Sequence, residues 1–332
     1  MNNYIIQHGK NQGILQEILK RKAQQRVYAP IIAKAISELS HISDQTACSI
    51  YNCGTYLSIN HDGRITGANF CKHRYCPICQ WRASRKVYGQ IAQIYDYIAT
   101  PESRFALLTL TLRNMDNLKD GLEQCFEGLK RFTNNRQIKK SIQGWMRTLE
   151  ITYNDKTQTW HPHVHMLLHL SDNYFTDGKV YLMQSEYERI WRMCVRADYV
   201  TQVDIRAIKD DIKGALAEVA KYAVKPSSVL NSHAEVETIR ELIAATYHRR
   251  LRSFGGSFKK AAKALGLQAE PMDELPEPSD QDTVYIYTHG QYIPRVFVPQ
   301  KDLDDVATAA FSAEKARQTC NCCKIGGVAS AR

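Results

Sequence analysis

The chain has 332 residues, 44% hydrophobic and 23% charged, a balance that suits a globular protein of about two domains and excludes wholesale disorder. Lys and Arg number 44 against 34 Asp and Glu; the resulting net charge of +10 favours a polyanionic partner, of which nucleic acid is the commonest. No uncharged apolar stretch approaches the ~18–20 residues of a membrane helix, and MNNYIIQHGK lacks a signal-peptide layout, so no membrane partner and a cytoplasmic location are expected.

Residues 1–47 are polar with scattered apolar positions; they predict short helices and carry no assigned role. Residues 48–100 read as a zinc-binding module and a connecting helix. Cys53, Cys71, Cys76 and Cys79 have the spacing C-x17-C-x4-C-x2-C. Two residues between Cys76 and Cys79 let both sulfurs reach one tetrahedral Zn²⁺ at about 2.3 Å, and four thiolates close the site as a structural one. Free buried thiols are the alternative, and Cys48 could replace Cys53. Lys72, Arg74, Arg82, Arg85 and Lys86 surround the cluster and are expected to meet phosphate. A helix follows from Trp81 toward Tyr97.

From 101 to 267 the periodicity changes. Phe105–Leu112 reads as a buried strand, 118–142 as a helix, Trp145–Tyr153 and Val164–Leu170 as strands, 183–196 as a helix, and Tyr199–Ile208 as a half-buried strand. A helix from Asp211 ends near Pro226, and another spans 233–248. This order is that of an α+β fold, an antiparallel sheet with helices on one face. Basic charge is blocked: residues 128–149 carry six basic groups and no acid, and 246–269 carry Arg249, Arg250, Arg252, Lys259, Lys260 and Lys263, again with no acid. Residues 268–332 begin with an acidic, proline-rich linker (268–282), continue in a hairpin with His-Gly at its turn, and end in a flexible tail whose Cys320, Cys322 and Cys323 remain unassigned.

The sharpest local pattern is WHPHVHMLLH (160–169). Alternation along a strand points His163 and His165 the same way, with Val164 in the core, and two adjacent neutral imidazoles suit a divalent cation. His161 shares their parity, but Pro162 is expected to disturb the strand there. His169 lies ~13 Å from His163 by strand rise, too far for the same ion. If the connecting loop centres near Lys156–Gln158, Glu150 of the preceding strand stands opposite His165 and completes a His-His-Glu site. A one-residue slip would turn Glu150 to the other face.

In DIKGALAEVAKYAVKP, Glu218, Tyr222 and Lys225 lie on one helical line at i, i+4 and i+7. Tyr is a possible nucleophile, Glu a base and Lys a phosphate clamp. Spacing alone favours a solvated face with a Glu–Lys ladder.

Several ordered segments together resemble the replication initiator (Rep) proteins of rolling-circle plasmids, within the HUH endonuclease superfamily. They are FCKHRYCPICQWRASRK (70–86), LLTLTLRN (107–114), PHVHMLL (162–168) and EVAKYAVK (218–225), with GWMRTLEITYN before the histidines and RLRSFGGSFKKAAKALGL after the tyrosine helix. The resemblance covers about residues 50–267 and makes 101–267 an HUH nicking domain. It implies single-strand nicking of origin DNA, single-stranded or supercoiled. His163 and His165 match the metal pair for Mg²⁺ or Mn²⁺, Tyr222 the nucleophile, Lys221 and Lys225 the flanking lysines, and Glu218 the acid four positions before the tyrosine. Glu150 as third ligand does not follow from the resemblance. No GxxxxGK[ST] loop occurs, so unwinding is expected from a host helicase, and a host polymerase extends the 3′ end. An HUH transposase or relaxase is the nearest alternative; relaxases place their tyrosine before the histidines. A non-catalytic zinc DNA-binding regulator is the alternative from another class.

Overall fold

The computed structural model describes residues 2–209, 211–220, 236–267, 275, 279 and 281–295. In chain order, helices α1 (Asn2–Arg26), α2 (Ala29–Ser37) and α3 (Asp44–Tyr51) precede strands β1 (Tyr56–Ile59) and β2 (Ile65–Ala68). Then come α4 (Pro77–Ile98), β3 (Phe105–Thr111), α5 (Leu118–Asn134), α6 (Arg136–Ser141), β4 (Ile142–Asn154), β5 (Thr159–Leu170), α7 (Gln184–Val195) and β6 (Val203–Ile208). The series closes with α8 (Ile212–Ala220), α9 (Val236–Thr246), β7 (Arg252–Gly255), α10 (Gly256–Ala264), β8 (Thr283–Thr288) and β9 (Gln291–Pro294). These residues divide into two compact units, one from residues up to 80, 236–240 and 275–295, the other from 81–220 and 241–267.

In the first unit β2-β1-β8-β9 form an antiparallel sheet. Its core holds Ile32, Ile36, Ile50, Leu57, Ile59 and Ile78, all fully buried. Lys22 is buried with them; its Nζ donates to the Ile78 carbonyl at 3.2 Å and lies 5.7 Å from the Phe70 ring centre, which offsets the cost of enclosing an ammonium group. Short helices are expected over 1–47; the first is instead a continuous helix of 25 residues.

In the second unit the sheet order is β6-β3-β5-β4-β7, antiparallel throughout. One face carries Phe105, Met146 and Leu167, which pack with Val87 and Ile91 of α4, Leu216 and Val219 of α8, and Phe258 and Ala261 of α10. The expectation of helices on one face is corrected here, because α5 packs on the other face of β5 and is itself braced by α7 through Phe132 and Trp191, ring centres 5.9 Å apart. Along β5, Val164, Met166 and Leu168 are as buried as Leu167, so both faces need a cover.

The helix expected over 118–142 is interrupted. Asn135 is extended (φ −60°, ψ 138°), and its side chain accepts from the Gln137 and Ile138 N–H groups at 2.9 and 3.4 Å, capping α6 afresh. β5 runs through Pro162, which pairs with Ile151 of β4 and lies past the last β3 pair, Thr111 with His163. A proline is tolerated where no ladder bond is required of it, so the disturbance expected at His161 does not occur.

Candidate metal centres and nucleic-acid interface

Strand alternation turns His163 and His165 to the same face of β5. Glu150 pairs directly with His163, and Thr148 with His165, so the register differs by two residues from the one expected. An even displacement preserves the face, which is why Glu150 still reaches the site. Its Oε2 lies 3.0 Å from Nε2 of both histidines, and the donor atoms of all three residues fall within 4.8 Å of one another. Glu150 is 5% exposed and His165 7%, so the group sits in a low-dielectric recess. Ligand distances of about 2.0–2.3 Å place donors on one ion within ~4.6 Å of each other, so the set fits a divalent cation.

Neighbouring elements orient this group. Thr109 of β3, opposite His165, places Oγ1 3.2 Å from its Nδ1. His163 Nδ1 is enclosed, with no hydrogen-bond partner among the described residues. Glu218 of α8 places Oε1 3.6 Å from His165 Nε2, with its side chain 27% exposed. The α8 backbone is pinned to β4 by the Thr148 hydroxyl, which donates to the Val219 carbonyl at 2.6 Å. Glu218 therefore faces the histidines and is not on the solvated ladder that spacing alone favours. Lys221, Tyr222 and Lys225 lie outside the described residues. His161 stands beside His163, ring centres 5.3 Å apart, and burial followed by that neighbour pushes its pKa below the ordinary value. His169 is used elsewhere: it stacks on Phe105 and its Nδ1 lies 3.1 Å from Ser257 Oγ. Thr109 was not among the expected site residues. Alternation in LTLTLRN shows two threonines on one face, but only the β3–β5 register shows which of them meets a histidine.

The four cysteines gather in the first unit. Cys53 follows α3, Cys71 follows β2, Cys76 directly precedes α4 and Cys79 lies in its first turn. Pro77 at the first helical position starts that turn without wasting a backbone donor. Cys53 and Cys79 sulfurs are 3.5 Å apart, Cys71 and Cys79 3.7 Å. Ligands 2.3 Å from a tetrahedral centre stand about 3.8 Å apart, whereas a disulfide would bring them to about 2.05 Å, so the cluster fits an ion. Cys53, rather than Cys48, joins the group. Burial pushes the Cys53 thiol up, while hydrogen bonds from Cys53, Cys71 and Cys76 hold Cys79 down. A divalent cation bound by the four sulfurs would supply the charge that lets all of them ionise. Cys320, Cys322 and Cys323 lie outside the described residues.

Among the expected phosphate contacts, Lys72 takes a left-handed conformation (φ 57°) next to Cys71, and the Arg74 guanidinium lies 5.7 Å from the Tyr75 ring centre. Arg85 lies 5.2 Å from the Trp81 ring centre on α4, which also carries Arg82 and Lys86. Arg250, Lys259 and Lys260 are exposed. Arg252 pairs with Thr148 across β7 and β4, and Arg249 is half-buried with Glu123 3.2 Å away.

Comparison with known proteins follows the same lines. The family described as Replication protein matches residues 62–292. A "Protein rep" of Streptococcus pneumoniae serotype 2 is 34% identical over 245 residues, 70% of this chain and 76% of that one. A "Protein rep" of Bacillus amyloliquefaciens is 31% identical over 288 residues, 78% and 81% of the two chains, and one of Staphylococcus aureus is 30% identical over 224 residues, 65% and 95%. No solved structure matches the chain. The matched region contains Cys71, Cys76, Cys79, the histidine strand and the helix leading to Tyr222, and the chain belongs to the Rep family of plasmid replication proteins that its sequence resembles.

Proposed function

We propose that this chain initiates rolling-circle replication of a plasmid by nicking one strand of its origin, with Tyr222 as nucleophile in an HUH-type domain. The observation that carries the reading is the convergence of Glu150, His163 and His165, with Glu218 of the helix that leads toward Tyr222 beside them. Two imidazoles and a carboxylate suit Mn²⁺ or Mg²⁺; bound there, the ion supplies Lewis acidity to a phosphate oxygen and the leaving 3′ oxygen. The Cys53–Cys71–Cys76–Cys79 group would hold a structural Zn²⁺.

Tyr222 Oη attacks phosphorus in line with the 3′ oxygen. A tyrosine–phosphate bond forms as the bond to the 3′ oxygen breaks, giving a 5′-phosphotyrosine and a free 3′-hydroxyl for the host polymerase. One phosphodiester replaces another, so ATP is not consumed in the cut, and unwinding falls to a host helicase. Lys221 and Lys225 hold the charge of the scissile phosphate. Lys72, Arg74, Arg82, Arg85, Lys86, Arg249, Arg250, Arg252, Lys259 and Lys260 engage the DNA backbone. Glu218 acts at the end of the round, taking a proton from the water that cuts the displaced strand.

The test is a labelled single-stranded origin oligonucleotide resolved on denaturing gels. The wild-type chain should give a covalent adduct that EDTA abolishes and Mn²⁺ restores. Tyr222→Phe should bind the oligonucleotide normally and give no adduct, and His163→Ala should lose nicking. An adduct of normal yield from Tyr222→Phe removes that residue from the role. Binding without cleavage by the wild-type chain, at any metal concentration, points instead to a DNA-binding regulator.

A further inference from the structure

We infer a phosphate-binding site on the sheet face opposite the Glu150–His163–His165 group, formed by the guanidinium groups of Arg147 and Arg249 around the ring of Phe126. Arg147 Cζ lies 5.3 Å from the Phe126 ring centre and Arg249 Cζ 5.6 Å. Alternation along β4 places Arg147 with Leu149 and Ile151, on the face away from Glu150. The two arginines differ in how their charge is met. Arg249 has the Glu123 carboxylate 3.2 Å from its Nη2. Arg147 is in no ion pair among the described residues, and its Nη1 is enclosed with no hydrogen-bond partner.

A guanidinium keeps its proton in a protein, and enclosed charges are ordinarily paired. Burial works against the charge of Arg147, and the group that offsets it, the Cys125 thiol, is itself pushed up to about 12 by burial and is neutral near pH 7. Among the described residues, then, no side chain supplies the counter-charge. Stacking on Phe126 compensates only part of it. A guanidinium with an aromatic ring against it keeps its edge for an acceptor with two oxygens, and a second cation at the same ring strengthens the field. Phosphate has that charge and that shape. Resting on the function proposed above, its source is a phosphodiester of the bound strand; free phosphate is the other source.

The experiment uses the full chain with Arg147→Met and Arg147→Lys, folding checked by circular dichroism and thermal melting. In one arm a fluorescent oligonucleotide is titrated across a salt series by anisotropy. Arg147→Met should bind about tenfold more weakly, with the slope of log affinity against log salt shallower by about one. In the other arm inorganic phosphate should raise the melting temperature of the wild-type chain and leave that of Arg147→Met unmoved. Arg147→Lys keeps the charge and loses the fork, so it should fall between the two in both arms; it carries the test alone if Arg147→Met does not fold. A response to phosphate with unchanged oligonucleotide binding assigns the site to free phosphate. A wild-type chain that binds no oligonucleotide yet responds to phosphate removes the proposed function and leaves the site standing. Folded variants that match the wild type in both arms overturn the inference.

Discussion

Thr109 shows what a single hydroxyl can decide. With Oγ1 3.2 Å from His165 Nδ1, it can accept a hydrogen bond from Nδ1–H and leave the Nε2 lone pair for a cation shared with Glu150. Thr109→Val keeps the shape and removes the acceptor. Mn²⁺ affinity, measured by calorimetric titration, should fall about 10–100-fold, with Thr109→Ser restoring most of it; equal affinity in the valine variant would deny Thr109 this role. Glu218 is the second residue at which chemistry turns. Glu218→Ala should still form the covalent adduct but terminate poorly, so that cells accumulate single-stranded plasmid multimers. Monomeric product in normal proportion would return Glu218 to another task near His165, and an accompanying loss of Mn²⁺ affinity would make that task ligation. At this scale the sequence shows that His163 and His165 share a face, because alternation is covalent geometry. It does not show that Glu218 approaches His165 to 3.6 Å, since that depends on which way α8 rolls.

At the scale of elements, the junction of β4, β7 and α10 depends on two glycines. Gly256 has φ +57°, and a Cβ there would run into the Gln143 carbonyl and Gly144 Cα. A Cβ on Gly255 would meet the Trp145 indole. Gly256→Ala should destabilise the chain by about 2 kcal/mol or more, from backbone strain and steric overlap together. Chemical denaturation checks this, and a loss of only a few tenths would mean that the junction relaxes freely. β7 itself is not legible in the sequence: four half-buried residues carry no period to read. β3 and α7 are legible, because long apolar runs with a clear period leave few alternatives. The break at Asn135 has a sequence signal, an Asn cap, that the basic periodic stretch around it obscures.

For the whole molecule, the four-cysteine group ties α3, β2 and α4 within the first unit, between residues that are far apart in sequence. One zinc per chain is expected by elemental analysis. Cys76→Ser should lower the zinc content and cost more than about 4 kcal/mol, which for a unit of this size lowers the melting temperature by roughly 16 °C or more. Protein purified without chelators and found free of zinc would refute it. The sequence by itself determined the pieces whose spacing lies within one element or one tight turn: the C-x2-C pair, the alternating histidines, the blocks of basic charge and the Glu218–Tyr222 interval. Tertiary structure decided which pieces meet. It set the β4–β5 register that puts Glu150 against His163, chose Cys53 over Cys48, covered both faces of the five-stranded sheet, and left Arg147 without an ion pair among the described residues. Spacing inside an element follows from bond geometry and its period, whereas pairing between elements is fixed by loop closure and by burial summed over the whole core, which no local stretch of sequence contains.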